Sequence, residues 1–258
     1  MPEPARPMST RTEPGRAAAL YRLLAWLSPS FPVGAFSYSH GIEAAAAAGT
    51  VRDRATLQGW IAAIVAQGGR RIDADILCDA YRAAEAHDLA ALDIANRRGL
   101  AYRGTAELAL EASQQGNAFL TTCLAAWPDE LLERWAAPHP NPLPARGERE
   151  SEATPRAGEG VCLPAAFGAA VACAGIALDD ALLGYLHAFA ANLMSAGLRL
   201  GLIGQTDGQR ILAALEPAIT QAAEAAKTRD PADFGAASFA VDLASMVHET
   251  QYSRLFRS

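Results

Sequence analysis

ALLGYLHAFAANLMSAGLRLGLIG, residues 181–204, is the most apolar run of the chain, and its reading decides the fold. By length it could cross a bilayer. It carries His187, Asn192, Ser195 and Arg199 along its course, however, and polar groups at those depths argue for a core helix of a water-exposed protein. Asp179 stands where an N-cap would be and Gly201 and Gly204 where the helix would stop. Working outward from this helix, the hydrophobic fraction of 51% is carried heavily by alanine. Alanine favours helix, and β-branched residues are few. No stretch alternates apolar and polar residues over strand length. The fold class is all-α: a single multi-helix, bundle-like domain over residues 17–258.

Upstream, Leu20, Leu23, Leu24 and Leu27 recur at helical steps, and Ser28-Pro29 ends that helix. Pro32 and Gly34 predict a rigid turn, Ser39 a cap for a helix through Glu43, and Gly49 its stop. Asp53 caps a helix with Leu57, Trp60, Ile61, Ile64 and Val65 on one stripe, ended by Gly68-Gly69. Further helices follow around Ile72–Tyr81, from Asp88 through Asn96, from Thr105 to near Trp127, and from Asp129 through Trp135. Residues 138–160, dense in proline, glycine and charge, cannot bury enough surface to offset their ordering entropy. They are expected to form a disordered insertion, bounded at about 137–161, and residues 1–16 a disordered leader. After it, Pro164 opens a helix with Phe167, Val171 and Ala174 on one face. Thr206 or Asp207 caps the next, which Pro217 kinks or restarts, and a last helix runs from about Val241 toward Tyr252.

The chemistry is sparse. Formal charge is −6, which disfavours nucleic-acid binding. Cys78, Cys123, Cys162 and Cys173 are irregularly spaced and read as free thiols of a reducing cytosol. The N-terminal stretch has no apolar signal region, and a cytoplasmic protein is expected. His248-Glu249 starts like a zinc-binding HExxH, but Tyr252 occupies the second ligand position. No pair of histidines shares a helical face, although His40 beside a loop could touch a metal in passing, and His187 reads as a core histidine. No nucleophile elbow and no phosphate loop is present. No catalytic residue, no metal ligand and no tightly bound cofactor is therefore assigned, and the chain reads as a binding protein.

Two segments look built for binding. Phe31 and Phe36 flank the Pro32–Gly34 turn, where they either anchor a partner or plug the loop into the core. The C-terminal HETQYSRLFRS, residues 248–258, ends in aromatic and basic side chains. Tyr252, Leu255 and Phe256 either fold back onto the core or form a docking end. Glu43 and Arg199 sit beside apolar runs, where a solvated face is the default.

HETQYSRLFRS resembles the closing motif of the F-type urease accessory proteins (UreF). SPSFPVGAFSYSHGIE at residues 28–43 is similar to the family's N-terminal segment, and Leu198-Arg199-Leu200 with Gly204-Gln205-Thr206 agrees as a third match. The resemblance implies an all-α, homodimeric, non-catalytic protein. Such a protein bridges the D-type (H-type) accessory protein and the G-type GTPase, coupling GTP hydrolysis to nickel insertion into apo-urease. Nickel would then be handled by the complex, with no membrane and no nucleic acid involved. It implies that His248, Glu249, Gln251, Tyr252, Arg254, Leu255, Phe256 and Arg257 bind the D-type partner. Glu43 and Arg199 would serve GTPase control or metal passage, and Pro32, Gly34, Phe36, Ser37 and Gly41 form the loop motif. Gly104 and Ala106 depart from it, since many relatives carry more charge there. A nickel-storing metallochaperone that binds the ion directly is the alternative.

Overall fold

The structure, a computed structural model, describes residues 15–137 and 160–257. Most of the expected leader (1–14) and insertion (138–159) lies outside the described residues. Eleven α-helices and no strand occur among the described residues, so the all-α expectation holds. They are α1 (Arg16–Trp26), α2 (Ile42–Ala47), α3 (Arg54–Ala66), α4 (Gly69–Glu85), α5 (Leu89–Ala101), α6 (Ala106–Ala126), α7 (Glu130–Ala136), α8 (Leu163–Cys173), α9 (Leu178–Arg199), α10 (Gln205–Thr228) and α11 (Phe239–Glu249).

The centre is α8, not the long apolar run. Every residue from Pro164 to Val171 is buried, because α4, α5, α6, α7 and α9 all lie against this helix. The expected single apolar face was too narrow. A helix this enclosed needs small residues where neighbours cross. At Gly168 a Cβ would sit 2.6 Å from the Leu77 carbonyl oxygen of α4. The 181–204 run becomes α9, which is long and apolar enough to span a membrane but has 56% of that window buried among α2, α3, α4, α8 and α10. Its Asn192 reaches back to donate to the Ala35 carbonyl at 2.9 Å, tying the N-terminal loop to the bundle. His187, expected in the core, is exposed.

Capping signals were legible where an Asp or Thr precedes the helix directly. Asp53, Asp88, Thr105 and Asp129 all accept from first-turn N–H groups, and Thr56 closes a capping box with Asp53. They failed where an acidic residue lies inside the first turn. Ala177 and Gly204 are the N-caps of α9 and α10, while Asp179 and Asp207 sit within the first turn, favoured by the helix dipole. Ser39 is likewise displaced by Gly41 as the N-cap of α2, although its Oγ accepts from Glu43 N–H at 3.4 Å. Gly69 starts α4 instead of ending α3, and α5 continues past Asn96 to Ala101. Pro217 interrupts nothing. The carbonyl of Ala213 that it leaves unpaired is on an exposed residue, and Ile211, Leu215, Ile219 and Ala223 stay buried on both sides of it.

One buried apolar cluster includes residues from α1 through α11. Aromatic rings run through it: Trp26, Phe31 and Phe167 each meet Phe119 at centroid distances of 5.9, 5.3 and 5.5 Å. Phe31 is thus plugged into the core while Phe36 is exposed, so the two loop aromatics divide the alternatives between them. In α1 the buried residues are Ala19, Leu23 and Trp26, and Leu20 and Leu24 face outward. The stripe is narrower than leucine spacing implied. Cys78, Cys123 and Cys162 are buried free thiols, and Cys173 is half-buried.

Candidate partner-docking site

The C-terminal tail lies against the start of α2, and a glycine permits it. Gly41 has φ +74°, and a Cβ there would come within 2.9 Å of the Ala244 side chain and 3.1 Å of the Ser245 nitrogen. Helix α11 can therefore touch the α2 backbone, which places His248 beside Glu43. Gly34, by contrast, adopts φ +73° in open space, which suits an exposed turn.

Glu43 is buried and accepts three hydrogen bonds. Leu255 N–H donates to Oε1 at 2.7 Å, Phe256 N–H to Oε2 at 3.0 Å, and His248 Nε2 lies 3.1 Å from Oε2. The default placement on a solvated face is overturned, because the tail backbone supplies the donors that burial removes. On the other side of the ring, His248 Nδ1 meets Glu107 Oε2 at 2.9 Å. Each nitrogen of this fully buried ring thus faces a carboxylate oxygen. Burial pushes the Glu43 carboxyl up, but the hydrogen bonds from Leu255, His248 and Phe256 outweigh it and hold it below the ordinary glutamate value.

Glu107 also takes Arg254 Nη1 at 2.7 Å. Glu249 turns to the N-terminus of α6, accepting from Ala106 N–H at 3.0 Å. Ser245 and Thr105 share a hydrogen bond of 2.9 Å. The last turn is pinned by Arg257 N–H on the Ser37 carbonyl at 2.7 Å and by Arg199, whose guanidinium lies 4.3 Å from the centre of the Phe256 ring. Glu43 and Arg199, far apart in sequence, thus grip the same tail residue.

The tail residues fall into two sets. His248 and Phe256 are buried and hold the tail to its own chain. Tyr252 is fully exposed and Leu255 is 61% exposed, while Glu249, Arg254 and Arg257 are exposed but spend polar atoms on the chain itself. Gln251 is half-buried and donates to the Ser253 carbonyl at 3.0 Å. On α11 the outward residues Phe239, Leu243, Met246 and Val247 continue the apolar surface. Pro32 and Phe36 are exposed, and Ser37 contributes its backbone.

Sequence reasoning missed Glu107 and Glu111, neighbours at i,i+4 on α6 that each meet a histidine, His248 and His40. His40 is buried there, not beside open solvent. The signal available was two carboxylates one turn apart, the only charged residues of that helix. Among the described residues no group of three or more His, Cys, Asp or Glu side chains has the arrangement to hold a metal ion.

The UreF family profile matches residues 51–216, which includes Arg199 and the Gly204-Gln205-Thr206 match but neither end motif. Whole-chain comparison with relatives extends over more of the sequence. Urease accessory protein UreF of Granulibacter bethesdensis is 46% identical over 241 residues, 93% of this chain and 94% of the relative. The protein of that name from Rhodopseudomonas palustris (strain TIE-1) is 44% identical over 243 residues, 94% of each chain. That of Methylobacterium radiotolerans is 42% identical over 245 residues, 95% of this chain and 99% of the relative. At such identity over nearly the whole length, the chain belongs to the UreF family.

Proposed function

We propose that this protein is a non-catalytic scaffold of urease maturation in the cytoplasm. In this reading it acts as a homodimer, bridges the D-type (H-type) accessory protein and the G-type GTPase, and couples GTP hydrolysis to nickel insertion into apo-urease. Its relatives' name supports the accessory role. The observation that carries the docking part is the division of the tail: Glu43, His248 and Phe256 fix its backbone, and Tyr252, Leu255 and the outer face of α11 offer apolar side chains to solvent. A pre-ordered anchor loses less entropy on binding than a free chain end. Because Arg199 and Glu43 clasp Phe256, a partner that shifts the tail also moves the two positions that the resemblance links to GTPase control or metal passage.

Truncation before His248 is a poor test, since it removes two core side chains. Co-purification with the D-type and G-type partners, read by light scattering, is better done with Tyr252→Ala combined with Leu255→Asp. The expected result is loss of the D-type partner from a normally folded chain. Retention of that partner at wild-type stoichiometry would remove the tail from the docking surface.

A further inference from the structure

A cavity of about 280 Å³ opens beside α4, α6 and the start of α11, separate from the exposed tail surface. Its wall carries a row of charges of alternating sign. Arg103 Nη1 donates to Asp73 Oδ1 at 2.7 Å, Asp73 Oδ2 accepts from Arg70 Nη1, and Arg70 Nη2 lies 3.6 Å from Glu111 Oε1. Tyr185 hydroxyl also donates to Asp73, at 3.2 Å, and Gln115 and His40 hold the same Glu111 oxygen at 2.8 and 3.0 Å. The row of two guanidiniums and two carboxylates is balanced within itself, yet both of its ends are unfinished. Arg103 Nη2 and Glu111 Oε2 are buried and have no hydrogen-bond partner. Buried polar groups are rarely left so, and charged ones least of all.

The two open ends differ in sign. A simple anion would satisfy Arg103 but face Glu111 and Asp242, and a simple cation would do the reverse. The remaining wall includes Ile64, Leu108, Leu163 and Val241, which suits an apolar body. The volume is near the lower end of the range of about 300–1,000 Å³ usual for ligand pockets, which points to a molecule of amino-acid size. We propose that this cavity binds a small zwitterion with an aliphatic body, its carboxylate on Arg103 Nη2 and its ammonium on Glu111 Oε2.

The full chain would be titrated calorimetrically with leucine and with ε-aminocaproate, whose charges are close together and far apart respectively. Isocaproate and isoamylamine, each keeping one charged end of leucine, are the controls. One zwitterion is expected to bind at least roughly tenfold more tightly than either control, with Leu108→Trp abolishing its heat by filling the cavity. Glu111→Gln is expected to weaken that zwitterion by a similar factor and leave isocaproate unchanged. Equal binding of all four probes, or no binding to the wild-type chain up to about 10 mM, overturns the proposal. The wild-type titration decides even if a variant fails to fold. Nickel(II) that binds the wild-type chain and loses its heat in Leu108→Trp, while no zwitterion binds, would also overturn it.

Discussion

Glu43 shows how far a single side chain's role depends on what folds over it. It follows Gly41-Ile42 and precedes a run of alanines, a setting that reads as the polar face of a short helix. In the structure it is the acceptor that ends the tail. Glu43→Gln keeps the shape but removes the charge from bonds to buried donors, and should destabilise the fold by about 2 kcal/mol in urea unfolding. Backbone amides of Leu255 and Phe256 should lose hydrogen-exchange protection in that variant, and unchanged protection would refute the clasp. The carboxyls of Glu43, Asp73 and Glu111 are all held below their ordinary values. For Asp73 burial opposes this, and the guanidiniums of Arg103 and Arg70 prevail; for Glu111 burial is outweighed by His40 and Arg70. A depressed folded-state value means that the unfolded chain takes up protons first. Their stabilisation is therefore complete above the unfolded values and is lost as pH falls through the folded ones. Urea midpoints should drop on acidification below the ordinary glutamate value of 4.5, less steeply in Glu43→Gln than in the wild type.

At the scale of elements, close approach decides which substitutions are tolerated. Gly168→Ala places a methyl against the α4 backbone, and should cost about 3 kcal/mol or prevent folding, measured by thermal unfolding. Gly59→Ala on α3 meets nothing within 4 Å and should stabilise by about 0.5–1 kcal/mol, because alanine is the better helix former. Helix α11 and the tail beyond it differ in the same way. Leu243→Asp on its outer face should leave stability within about 0.5 kcal/mol while weakening partner docking, whereas Phe256→Ala beyond its end should cost about 3 kcal/mol. A large cost for Leu243→Asp would contradict the exposed face of α11, and no cost for Phe256→Ala would contradict the buried tail ring.

Over the whole molecule, α8 is the element most enclosed by others, so its amides can exchange only when the surrounding helices separate. They should be the slowest to exchange and report global unfolding, while amides of α1, with Leu20, Tyr21 and Leu24 exposed, exchange earlier. The exposed faces of α1 and α11 are apolar on different elements, one at each end of the chain. Substituting Leu20 and Leu24 by Asp should leave D-type docking intact if the tail carries that contact alone, as read by co-purification.

The sequence by itself determined the helices, because local propensity, the spacing of apolar residues and side-chain caps such as Asp53 and Thr105 act within a few residues. It also marked the segments that matter, the Pro32–Gly41 loop and the tail, through glycine, proline and aromatic residues. It could not say which helix is central, since an alanine-rich helix such as α8 reveals its burial only through the neighbours that enclose it. Nor could it separate buried from exposed residues in the tail. That division was decided by the tertiary structure, because Glu43 and His248 meet across 205 residues of sequence at 3.1 Å and leave Tyr252 facing water.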